Sequence, residues 1–213
     1  MPELIEGPYK SEFLVTEAEG TLSRETVTVL LGQNLKPGHV LGRVTVGTAT
    51  GVAVSGNVGN GTISAVSAGV GAKPGVYQVI CIEPATNAGT FTLEDPEGVT
   101  TGRALVGTPF VGAVNFTLTD GPADFAAGDR FTVTVVEGSG KYKEYNPANT
   151  DGSQTAVAIS LDEVKATVTD LPDVAIVRHA EVNAAELTWF AGADATQKAA
   201  GLAQLKTKTI IAR

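Results

Sequence analysis

Arg178-His179, within VAIVRHAEVNAAEL at Val174 to Leu187, is the pair in this 213-residue chain that most suggests catalysis. Histidine changes charge near neutral pH and is the usual general base. A nucleophilic triad would also need a serine and an acid. Ser153 and Ser160 in DGSQTAVAIS, with Asp162 just beyond, could supply them. No G-x-S-x-G nucleophile elbow occurs anywhere in the chain. The plainer reading is that His179 pads or caps the start of a helix while Arg178 pairs with Glu181 or Glu186. No catalytic residue is assigned.

Metal and phosphate chemistry fare no better. With two histidines, a zinc site would have to borrow carboxylates, and His39, after Pro37-Gly38, reads as a surface residue. Asp120, Asp124 and Asp129 form one oxygen-rich group, and Glu94, Asp95 and Glu97 another. Neither has EF-hand spacing, and aspartates that form turns account for both. Gly56, Gly59 and Gly61 do not follow G-x-G-x-x-G, and no βαβ unit surrounds them. Cys81 lies in the apolar run Val79–Ile82 and reads as a small buried hydrophobe. No metal and no cofactor is expected.

The formal charge is −8 and the pI about 4.8. Phosphate binding needs clustered Lys and Arg, so no nucleic-acid partner is expected. No apolar run reaches 18 residues, so no membrane span is expected either. MPELIEGPYK lacks the basic-then-apolar order of a signal peptide. One cysteine permits no intrachain disulfide, and synthesis in a cytoplasm fits.

The elements that would have to position a site are mostly strands. Residues 1–22 show no sustained periodicity and read as an extended arm, with Phe13-Leu14-Val15 able to add an edge strand to a partner. The other reading folds that arm back on its own domain. Glu25–Val29 alternates as a half-buried strand does, Gln33–Gly38 turns, and His39–Val46 returns. From about 48 to 140 the composition changes: more than half of the 25 glycines fall between Gly51 and Gly121. Six strands are expected there, over Gly61–Ala68, Gly75–Glu83, Gly89–Glu94, Ala104–Val106, Asn115–Leu118 and Arg130–Val135, as in a small sandwich or barrel. Beyond Gly140, Lys141–Pro147 reads as a short strand ending in a turn, and strands are expected over Thr155–Leu161 and Val174–Val177. Asn183–Leu187 reads as a helix opening on an Asn cap with Glu186 in capping-box position. Asp194–Leu205 reads as a second helix, weakened by Gly201, and Thr209–Ala212 as a closing strand.

Four segments, SRETVTVLLGQNLKPGHVLGRVT, KYKEYNPANTDGSQTAVAIS, VAIVRHAEVNAAELTW and TIIAR, together resemble, in order, the lambda-type bacteriophage head decoration proteins. The resemblance covers about half the chain. It implies an α+β, mostly β fold: a decoration domain made of 23–47 and 141–213, with an all-β, sandwich-like domain inserted at 48–140. It implies a non-enzymatic capsid decoration (cementing) protein on the virion exterior, a homotrimer that binds the expanded head and stabilises it. The partners implied are the major capsid protein and the chain itself. In that setting Leu4, Ile5, Tyr9, Phe13, Leu14 and Val15 of the arm are the expected capsid contacts, and Trp189 and Phe190 the trimer-interface candidates, with a place in the core as the equal alternative for that pair. The insert would face outward, free to touch a host surface. A second reading makes the chain a β-rich adhesin or carbohydrate-binding module. The scarcity of aromatic residues in the insert (Tyr77, Phe91, Phe110, Phe116, Phe125, Phe131) counts against sugar stacking.

Overall fold

The computed structural model describes residues 7–213. Strand takes 46% of the chain and helix 9%, so the fold is a β-rich α+β fold. The chain divides into two compact units, one holding the residues up to Val44 together with Gly140–Arg213, the other Thr45–Ser139.

The first unit opens with strand β1 (Leu14–Glu17), a single helical turn α1 (Gly20–Ser23), β2 (Arg24–Val29), β3 (Gln33–Leu35) and β4 (Val40–Arg43). The alternation read at Glu25–Val29 is visible in burial: Val27 and Val29 point inward and the residues between them outward.

The second unit follows with β5 (Val46–Ala53), β6 (Thr62–Ala68), β7 (Gly75–Ala85), β8 (Ala88–Glu94), β9 (Thr100–Leu105), β10 (Val114–Thr119) and β11 (Arg130–Glu137). One sheet runs β5-β11-β7-β8-β9, and β6 pairs with β10 against it. Inward side chains of both layers share a single core that includes Tyr77, Cys81, Phe91, Phe116 and Phe131. Phe91 and Phe125 meet edge to face with centroids 5.0 Å apart, a favoured aromatic geometry. Strand β5 pairs antiparallel with β11 from Val46 to Ala53, where the sequence led to one strand ending at Val46 and the next starting at Gly61. Its outward residues are Thr48, Thr50 and Val52; the inward ones are Ala49 and Gly51, too small to produce an apolar alternation.

The chain re-enters the first unit with β12 (Tyr142–Glu144), β13 (Ala156–Ser160), β14 (Val164–Ala166), β15 (Leu171–Ile176) and β16 (Ala180–Val182). After a 3-10 turn at Ala184–Glu186 come helix α2 (Ala195–Lys206) and β17 (Ile210–Ala212). Strands β12-β2-β15-β13-β4 close a barrel, β3 pairs with β14, and β1-β16-β17 form a third sheet. Gly42 lets the Ser153 backbone pass where any Cβ would collide with it. Pro172 sits inside β15, where a proline is ordinarily excluded. It is tolerated because only β2 pairs beside it; β13 pairs with β15 no further than Ala175.

Two expectations are corrected. Asn183–Leu187 is not a helix: Asn183 Oδ1 caps the Ala185 amide, but after one 3-10 turn the chain extends. There Thr188 exchanges backbone hydrogen bonds with Gly38 and Val40, and those long-range bonds stop the helix. His39 is not a surface residue but is 5% exposed. Its Nδ1 accepts from the Lys36 amide at 2.8 Å, which leaves Nε2 to donate to Glu144 Oε1 at 2.9 Å. Helix α2 matches its reading, with Asp194 and Gln197 forming a reciprocal capping box.

Candidate functional site

The residues that first suggested catalysis are held apart by their own partners. Arg178 Nη1 donates to Glu25 Oε1 at 2.6 Å, not to Glu181 or Glu186. His179 occupies a tight turn between β15 and β16 at φ 51°, with Nδ1 2.7 Å from Thr209 Oγ1. The Ser153 hydroxyl donates to Asp151, 2.5 Å away. The Ser160 hydroxyl donates to Asp173, 2.6 Å away. Each serine therefore faces a carboxylate, and His179 faces a threonine. In the oxygen-rich loops, Asp129, Asp124 and Asp95 take backbone amides, while both Asp120 oxygens are buried without a hydrogen-bond partner among the described residues. Asp129 accepts from the amides of Val58, Gly59 and Ala126 at 2.8–2.9 Å, and Asp95 from those of Glu97 and Val99. Burial acts to raise Asp129, yet the three amides hold its carboxyl below the ordinary range. Among the described residues, no group of three or more His, Cys, Asp or Glu could hold a metal ion.

The remaining candidate site is the N-terminal segment and its seat. Strand β1 pairs antiparallel with β16 of its own chain and lies at the edge of its sheet, so among the described residues its other side is free of strand pairing. Such an edge is a template for another strand. Val15 on it is 53% exposed, and Tyr9 just upstream is 59% exposed. Leu14 is half-buried against the core. Phe13 is 1% exposed and anchors in the first unit's own core with Val182 and Leu205, so its ring is not available to another chain. Leu4 and Ile5 lie outside the described residues. Around residue 10 the chain turns: the Glu12 amide donates to the Tyr9 carbonyl, Tyr9 N–H donates to Glu12 Oε2, and Ser11 adopts φ 62°. Lys10 Nζ reaches Asp162 Oδ2 at 2.6 Å.

Trp189 and Phe190 lie beyond the 3-10 turn, half-buried. Both meet Tyr145 edge to face, with centroids 6.0 and 6.2 Å away. The Trp189 ring also lies over Gly201 of α2. Their buried faces thus belong to the core of their own unit, and only the remainder is open to a partner.

This is a β-rich chain whose candidate site consists of a free strand edge, exposed apolar side chains and ion pairs. Residues 3–210 match the family described as bacteriophage lambda head decoration protein D. The chain belongs to that family of structural phage-head proteins. No curated protein matches it. Among solved structures, two crystal forms of FlgL from Xanthomonas campestris resemble it, at 18% and 17% identity and a TM-score of 0.34 each. They cover 50% and 51% of this chain, which spans 34% and 33% of theirs.

Proposed function

We propose that the protein cements an expanded phage head from outside, as a homotrimer made in the host cytoplasm and assembled onto the shell. The observation that carries this reading is the family match across residues 3–210. Binding only the expanded shell stabilises that state by mass action. Three N-terminal segments per trimer turn a modest individual affinity into avidity.

The capsid contact is assigned to the N-terminal segment: Leu4, Ile5, Tyr9 and Val15, with Leu14 contributing its exposed part. The free edge of β1 and the exposure of Tyr9 and Val15 support this. Phe13 is assigned the role of anchor in place of contact. The exposed parts of Trp189 and Phe190 are proposed for the trimer interface. Thr45–Ser139 is proposed to be a domain inserted into the decoration domain, which its own continuous core supports. Host-surface contact is assigned to that domain.

The test is a truncation. Deleting through residue 20 would remove Phe13 from the core, so the informative variant lacks residues 1–9. It should keep the parent's thermal stability and elute as a trimer, yet fail to saturate empty expanded shells of the corresponding phage. Unchanged saturation would remove residues 1–9 from the capsid contact and leave it to Leu14 and Val15 on the β1 edge, and monomeric elution of the intact protein would end the trimer reading.

A further inference from the structure

Between Met1 and Ser23 the chain carries five glutamates and one cation, Lys10. That cation is set on Asp162, which lines a cleft of about 530 Å³ together with Thr26, Glu163, Pro172 and Asp173. Two of the three carboxylates have a cation: Asp162 has Lys10, and Glu163 has Lys165 at 2.9 Å. Asp173 has none. It is 5% exposed, its Oδ2 takes the Ser160 hydroxyl, and its Oδ1 has no hydrogen-bond partner. Burial pushes its pKa up, the Ser160 hydroxyl and the nearby Val174 amide oppose this, and the charges of Asp162 and Lys10 act in opposite directions.

The neighbouring backbone is arranged around this contact. Upstream, Gly7, Pro8 and Tyr9 line a second hollow of about 300 Å³ with Lys36, Pro37 and the same Glu163. Downstream, Ser11 holds a left-handed conformation, and two residues later Phe13 is sunk in the core. Lys10 thus stands at the boundary between a fixed stretch and an exposed one.

We propose that the Asp162–Asp173 cleft is an ammonium-binding site, that Lys10 is its resident ligand, and that this contact latches the N-terminal segment onto its own unit. The biological meaning rests on the capsid reading above: a segment held on its own body must be released before it reaches a shell. An exposed ion pair is weak and screened by salt, so this latch is easily displaced. The buried Asp173 carboxyl, with Oδ1 unpartnered, gives the cleft an acceptor that an isolated surface pair would lack.

The test uses the isolated protein without shells, so its failure is distinct from failure of the capsid reading. Chymotryptic cleavage at Tyr9 and the NMR titration of the Asp173 carboxyl are followed in the parent, in Lys10→Ala, and in the charge-swapped Lys10→Glu/Asp162→Lys protein. Lys10→Ala should be cleaved roughly two- to fivefold faster, the range set by the strength of an exposed pair. Its Asp173 titration should move further up. The charge swap should restore protection. In Lys10→Ala, methylammonium chloride should lower the Asp173 titration more than sodium chloride at the same concentration. Unchanged cleavage and titration in Lys10→Ala, or no recovery in the swapped protein, overturns the latch. Equal action of the two salts overturns the ammonium site.

Discussion

At the scale of single residues, two buried aspartates should respond to pH in opposite ways. Asp129 is held below the ordinary carboxylate range, so its contribution is present above the unfolded value of about 3.9 and is lost as pH falls through its folded value. Asp129→Ala, which strips three amides of their acceptor, should cost about 2–3 kcal/mol at pH 7. The gap from the parent should narrow in urea titrations below about pH 4. Asp173 is raised by burial, so the sign reverses: its contribution is full at low pH and is lost as pH rises through the folded value. Asp173→Asn should leave melting unchanged in acid and stabilise by about 1 kcal/mol at neutral pH; a destabilised variant at pH 7 would contradict a carboxyl that burial leaves underpaired. Sequence did foresee some residues. Cys81 is buried, on the inward face of β7 with Tyr77 and Val79. It did not foresee others: Arg178 pairs with Glu25, 153 positions away, and no local spacing announces that partner.

At the scale of elements, the helix α2 shows how a local rule and a packing rule divide the work. Asp194 and Gln197 set its start from residues three apart, and that signal is readable without a fold. Gly201 reads as a local defect worth about 1 kcal/mol against alanine. In the folded unit a Cβ there would stand 2.5 Å from the Trp189 ring and 3.2 Å from Tyr145. Gly201→Ala should therefore lose about 1–3 kcal/mol, the usual range for overpacking, in spite of its better helix propensity. Thermal melting decides between them, and a stabilised variant would show that Trp189 yields at no cost. The Asn183 cap is the converse case. The capping residue is real, but the backbone exchange of Thr188 with Gly38 and Val40 ends the helix after one turn. Strand β16 escaped sequence reading for a related reason. It is three residues long and lies between β1 and a parallel β17, so its pairing depends on both ends of the chain.

At the scale of the whole molecule, the reading of Thr45–Ser139 as an inserted domain has its own test. That unit has a continuous core and a complete two-layer strand set. Expressed alone, residues 45–139 should give a β circular-dichroism spectrum and a cooperative melt; a disordered fragment would mean that it needs the other unit to fold. The β-rich class, the capped helix and the family were legible in the chain alone. These rest on alternation, caps and segment order, all carried by residues a few positions apart. Long-range packing alone buries Phe13 in the core, sets His39 against Glu144 and brings Lys10 to Asp162. Each joins elements far apart in the chain, and burial follows from which surfaces the closed barrel brings together. A local hydrophobic period carries no record of that.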